Sequence, residues 1–319
     1  MCSAAQRVVE AYDRFAKVDG AGLSPVYEAW ARVVAGDREI AVRLAALPEV
    51  KRQPNLLFTA VRVLYGLVEP EAFRQVCHDR WAEIEAVMLA RSTQTNEPGR
   101  CAGLLPVLAS LPQPLALLEV GASAGLCLLP DFYMYDYGER GTVGTEGPEF
   151  TCAIDGDAPQ PRALDVVWRR GLDLSPVDLE DPEERAWLEA LIWPGMEDER
   201  LAGLHGAIEV ARRERPDVVR GDLRTDLRAV AADAPRDATL VVFHTAVLMY
   251  VLNADDRAAF GATVRDLGAT WVANEAPGLL PGTHVPAAEA AAHPQDFLLA
   301  VDGAPVAWSH SYGRALHWR

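Results

Sequence analysis

The run Leu115-Ala116-Leu117-Leu118-Glu119-Val120-Gly121-Ala122-Ser123-Ala124-Gly125-Leu126 constrains the fold more than any other stretch. An apolar segment of strand length leads into a cluster of small residues and then into a second apolar segment. That order reads as a buried parallel strand, a tight turn and a helix starting near Ser123 and limited by Pro130. Such a helix would aim free N–H groups at a ligand. Gly121 and Gly125 let the backbone turn sharply and approach that ligand with no Cβ in the way. Glu119 is an acid at the carboxyl end of the strand, where open α/β sheets bind ligands. The stretch is not a phosphate-cradling P-loop, because it lacks the Gly-Lys-Ser/Thr ending. A dinucleotide loop needs glycine at its first, third and sixth positions; these are Gly121, Ser123 and Leu126.

Strand–helix alternation continues downstream. Residues 166–174 read as a second parallel strand carrying Asp173, and 217–223 as a short strand carrying Asp222. The clearest later strand, 239–245, ends in His244 and Thr245; 269–275 ends in Asn274 and Glu275. Residues 297–301 and 305–309 flank Asp302-Gly303, a hairpin turn signal. The aromatic, glycine-punctuated stretch at 132–162 reads as an inserted antiparallel β segment. Residues 1–110 read as helices, with Ser24-Pro25 and Asp37 as helix starts, an apolar helix at 55–67 and one longer helix from Pro70 that carries Phe73 through Met88. The fold class expected is therefore α/β: a mostly parallel, helix-flanked sheet over 111–319 with a helical N-terminal cap over 1–110.

The 319 residues carry a net charge of −16. A nucleic-acid or anionic-membrane partner needs a basic footprint, so neither is expected; a small-molecule partner is. No run of about 18 apolar residues spans a membrane. The first residues lack an apolar secretory core. The five cysteines are odd in number and widely spaced, which fits reduced thiols and a cytoplasmic location. The seven histidines are dispersed and no metal-ligand spacing occurs, so no metal is expected.

The pattern Glu119-x-Gly121-x-Ser123-x-Gly125 resembles the first motif of class I S-adenosylmethionine-dependent methyltransferases, with Ser123 in place of their middle glycine. Around it stand, in order, Thr93-Gln94-Thr95-Asn96-Glu97 with Arg100, then Arg170-Gly171-Leu172-Asp173-Leu174-Ser175-Pro176-Val177-Asp178, Trp193-Pro194 and Val242-Phe243-His244-Thr245. Together these resemble the domain of unknown function 2332 family, whose members look like class I methyltransferases; Cys127 stands where the family pattern has Asn. The resemblance implies a Rossmann-like sheet, S-adenosylmethionine as cofactor and methyl transfer to a small-molecule acceptor. It assigns Glu119, Gly121, Ala122, Ser123 and Gly125 to the cofactor's amino acid end, Asp173 to its ribose and Asp222 to its adenine. His244 is the expected base, since imidazole takes a proton near neutral pH. Glu275 and Glu97 are further catalytic candidates, and Gln94, Asn96, Arg100 and Tyr250 are substrate-binding candidates. Two other readings stay open: another alkyl transfer or cyclisation using the same cofactor, and a non-catalytic protein that binds an adenosyl ligand.

Overall fold

The structure, a computed structural model, describes residues 3–94 and 96–319. The chain forms two compact units: the described residues of Met1–Thr95 with Arg185–Leu201, and Asn96–Glu184 with Ala202–Arg319.

The first unit is helical. Its elements are α1 (Ala4–Arg14), α2 (Pro25–Gly36), α3 (Arg38–Ala46), α4 (Pro54–Tyr65), α5 (Pro70–Asp79) and α6 (Trp81–Ala90). The single long helix expected from Pro70 is two helices, because the chain leaves helical geometry at Arg80, with φ −121° and ψ 21°. Buried aromatics from several of these segments pack against one another. Trp30 stacks on Phe73 with ring centroids 4.5 Å apart, Tyr27 lies 5.0 Å from Phe58, and Phe15 lies 5.1 Å from Trp193. The 185–201 segment is tied in further by the Trp187 indole, which donates to the Ser92 carbonyl at 2.9 Å. Asp37 links helices: Oδ1 accepts the N–H groups of Glu39 and Ile40 at the start of α3, and Oδ2 accepts from Arg74 and His78 of α5. Burial alone would raise this carboxyl, but the hydrogen bonds from His78, Arg74 and Ile40 overcome it and hold the group well below the usual carboxylate range.

The second unit is a mixed α/β structure. The strands are β1 (Leu115–Val120), β2 (Met134–Asp136), β3 (Thr142–Val143), β4 (Glu149–Thr151), β5 (Ala153–Asp155), β6 (Val166–Asp173), β7 (Asp217–Arg220), β8 (Thr239–Thr245), β9 (Thr270–Glu275), β10 (Asp296–Val301), β11 (Ala304–His310) and β12 (Ala315–Trp318). A nine-stranded sheet has the order β5-β12-β11-β10-β9-β8-β1-β6-β7. β7, β6, β1, β8 and β9 are mutually parallel, and the chain reverses its direction of travel between β1 and β8. Such a switch point opens a crevice at the carboxyl ends of the strands. Beyond β9 the sheet turns antiparallel through β10, β11 and β12, and β5 closes the edge parallel to β12. β1 is buried along its whole length, as a central parallel strand must be.

Two local expectations are corrected. No helix follows β1. Gly121, Ser123 and Gly125 all have positive φ, at 72°, 52° and 71°. Three left-handed residues in five cannot propagate a right-handed helix. Only short 3-10 turns follow, at Leu126–Leu128 and Pro130–Phe132. Nor is the insert purely antiparallel: β2 pairs antiparallel with β3 but parallel with β4, and β5 leaves this small sheet for the edge of the large one. Residues 100–110, read as part of the cap, form α7 (Arg100–Ser110) in the second unit. Among the described residues no helix is long and apolar enough to cross a membrane.

Asp37→Ala should lower stability by about 1–2 kcal/mol at pH 7, the usual cost of losing an N-cap acceptor. Because the native carboxyl titrates below its unfolded value of about 3.9, its ionic contribution is complete above that pH and fades as the pH falls further. Urea titrations should show the mutant and parent midpoints converging at acid pH.

Candidate functional site

Residues 121–125 reverse the chain at the carboxyl end of β1, and their N–H groups are all engaged. Gly121 and Ala122 donate to the Leu172 carbonyl, and Gly125 to that of Ala122. Ser123 N–H donates to Asp173 Oδ2 at 2.8 Å, and Ala124 N–H to Asn96 Oδ1 at 3.1 Å. Asn96 Nδ2 donates in turn to Ser123 Oγ at 2.8 Å, while Asp173 Oδ1 accepts Ser175 N–H at 2.7 Å. The structure thus brings Asn96, Ser123 and Asp173 together as a clamp on the loop. The glycines are required by space as well as by φ. A Cβ on Gly121 would collide with Val247, and one on Gly125 would sit 2.9 Å from Val218 Cγ2.

The alternation of strand side chains sorts the remaining candidates onto two faces. Glu119 pairs in register with Gly171 and Phe243, and Thr245 with Asn274, so Glu119, Asp173, Thr245 and Asn274 share one face. Arg100, on α7, lies over it. Its Nη1 donates to the carbonyl and Oγ1 of Thr245, its Nε donates to the Ser311 carbonyl at 2.9 Å, and its guanidinium lies 5.4 Å from the Phe297 ring. Glu119 is buried and its Oε2 has no hydrogen-bond partner. Burial, with Cys127 and Asp173 nearby, pushes its carboxyl well above the usual range, and the Arg100 charge offsets this only in part. Both side-chain amide atoms of Asn274 and the Ser309 hydroxyl are buried without partners as well. Glu97, also buried, accepts Gly99 N–H at 3.3 Å. The Cys127 thiol is pushed up by its hydrogen bond with Cys101 and by burial, which leaves it a poor nucleophile.

His244 and Glu275 occupy the other face, with Trp271. The Trp271 indole can only donate, and it does so to His244 Nε2 at 2.9 Å. The ring proton therefore sits on Nδ1 and is donated to Glu275 Oε1 at 2.6 Å. The imidazole is fully buried, and with both ring nitrogens engaged it has no lone pair left for an acceptor's proton. The expected base instead positions Glu275, whose Oε1 also accepts the N–H groups of Val247 and Leu248. That holds Val247 against Gly121.

Asp222 follows β7, and its carboxylate accepts from the Arg224 side chain and N–H. Those hydrogen bonds lower it despite partial burial. Tyr250, on the 3-10 turn Leu248–Tyr250, is exposed. Gln94 belongs to the helical unit. Sequence reading missed Asn274 and Ser309. The signal for Asn274 was its place before Glu275: period-two alternation turns one of the two toward Glu119, and it is the Asn.

The family model described as an uncharacterized protein conserved in bacteria, domain of unknown function 2332, matches residues 68–318. The chain belongs to this family. The match takes in every strand of both sheets and every candidate residue of the site. No curated protein and no solved structure matches the chain.

Two substitutions check these assignments within the family fold. Glu119→Gln should stabilise the protein at pH 8 and change little at pH 4. An acid whose native pKa is raised loses stability as the pH climbs from its unfolded value, about 4.3, toward the native one; thermal melts across that range are the measurement. His244→Ala leaves Trp271 and Glu275 short of partners in the core. It should cost roughly 2–4 kcal/mol, read from the urea midpoint, and an unchanged midpoint would refute the positioning role.

Proposed function

We propose that the chain binds S-adenosylmethionine at the carboxyl ends of β1, β6 and β7, on a Rossmann-like sheet of the class I methyltransferase kind, and transfers its methyl group to a small-molecule acceptor. One observation carries this reading: Glu119 and Asp173 stand on one face, at the ends of adjacent parallel strands, beside a loop whose N–H groups are already spent. A phosphate arriving there would meet two carboxyl groups and no loop N–H free to donate. A ligand bearing an ammonium and a sulfonium meets groups of complementary charge, and Glu119 Oε2 gains the partner it lacks.

S-Adenosylmethionine supplies a methyl group activated by positive sulfur. Glu119 and the 121–125 loop would hold its amino acid end. Asp173, whose carboxylate accepts the N–H groups of Ser123 and Ser175 at the end of β6, would hold the ribose hydroxyls. Asp222 would accept from the adenine amine while keeping Arg224. The chain's contribution to rate is then alignment of the acceptor and exclusion of water.

A second reading draws support from His244. With both ring nitrogens engaged on the far face, the expected general base is removed from the Glu119 face. A protein that binds the adenosyl ligand without turnover, or directs a nucleophile needing no base at the sulfonium, fits that arrangement.

Calorimetric titration with S-adenosylmethionine and S-adenosylhomocysteine, with NAD as control, tests the cofactor. Both adenosyl ligands should bind and NAD should not. Asp173→Asn, shown folded by circular dichroism, should weaken binding by about tenfold or more, the usual loss for a hydrogen bond to a charged group. Folded, ligand-free protein that takes up neither adenosyl ligand would sink the reading. Mass spectrometry of candidate acceptors then separates transfer, which adds a CH₂, from binding alone.

A further inference from the structure

A second polar cluster lies on the antiparallel side of the sheet. The histidines are dispersed in sequence, yet His293, Asp296 and His317 each bring one possible ligand atom within 4.8 Å of the others. His293 precedes β10, and its Nδ1 lies 2.9 Å from Asp296 Oδ2. Its ring stacks on Trp308 at 4.7 Å and lies 5.3 Å from the His317 ring. Register places His317 beside Trp308 on one side and Asp155 on the other. Asp155 Oδ2 is 2.8 Å from His317 Nδ1, so a carboxylate orients this imidazole and leaves Nε2 available. Metal-binding histidines are commonly held this way. His310 pairs with Asp296 across β10 and β11, with its Nδ1 accepting Tyr312 N–H at 3.2 Å, but it does not converge with the other three.

We propose that His293, Asp296 and His317 form a binding site for a divalent transition metal, zinc by donor type. Two imidazoles and a carboxylate are ligands that Zn²⁺ accepts, and their partial exposure leaves a coordination position for water. Metal entry would require a deprotonated donor nitrogen on each imidazole and an ionised Asp296, with any displaced proton passing to solvent. β10 to β12 lie three to five strand spacings from β1, about 15–24 Å at ~4.8 Å each. The site is therefore separate from the 121–125 loop and does not rest on the cofactor reading.

The test uses the full chain, stripped with a chelator and titrated with Zn²⁺ by calorimetry, with Co²⁺ as a spectroscopic probe. One equivalent should bind. His293→Ala and His317→Ala should each weaken binding at least tenfold, and Asp155→Asn by roughly tenfold, with circular dichroism unchanged. His205→Ala is the control and should bind as the parent does. The Co²⁺ spectrum of the parent protein should show nitrogen and oxygen ligation without a thiolate charge-transfer band. Absence of saturable binding, binding that survives both histidine substitutions, or a thiolate band would overturn the proposal.

Discussion

The Asp173 carboxylate, held between the N–H groups of Ser123 and Ser175, is the contact on which the 121–125 loop depends. A left-handed Ser123 costs about 1–2 kcal/mol relative to a right-handed residue. Charge-assisted hydrogen bonds of this kind are roughly twice as strong as neutral ones and offset that cost. Asn96 acts on the next residue in the same way, through Ala124 N–H and Ser123 Oγ. The result is a stapled loop rather than an open helix start. A helix beginning at Ser123 would have left its first N–H groups free for an anion; the clamp consumes them. One geometric choice, three left-handed residues in a row of five, thus leaves no loop N–H free to receive an anion.

The far face supports the same loop from behind. Trp271 fixes the tautomer of His244, His244 orients Glu275, and Glu275 caps Val247 and Leu248, whose backbone follows the left-handed Ala246. Val247 then packs where a side chain on Gly121 would have to go. This chain of contacts is buried in an apolar cluster with Phe260 and Leu298. Low polarity strengthens each hydrogen bond there and penalises the loss of any one. The two faces divide the work: one fixes the turn, and the other presents polar groups beside it.

The parallel strands were legible because burial on both faces demands continuous apolar runs; 115–120 and 239–245 stand where such runs predict. Strand β12 was not, since Ala315–Trp318 is short and carries no apolar run. The missing helix was hidden because nothing in a serine announces a positive φ; only its partners, Asp173 at a separation of 50 residues and Asn96 at 27, impose it. His244 was visible as a strand-end imidazole, but its job depends on the register of β8 against β9, which brings Trp271 and Glu275 alongside. The histidine cluster was invisible for the same reason. His317 and Asp155 are 162 residues apart and meet only because β5 leaves its own small sheet to join β12.

What remains on the Glu119 face is an imbalance. Arg100 is the cation nearest to mind as a partner for Glu119, yet its donors go to the carbonyls of Thr245 and Ser311. Its donors are spent on backbone dipoles, so burial prevails at Glu119 and raises its carboxyl above the usual range. Asn274 and Ser309 add unpartnered polar atoms to the same face. Leaving such groups unsatisfied costs about 1–3 kcal/mol each, a cost that a protein selected for stability alone would remove by placing apolar residues there. A ligand with donors and positive charge would recover that energy, so its binding would draw on polar groups left unsatisfied in the free protein.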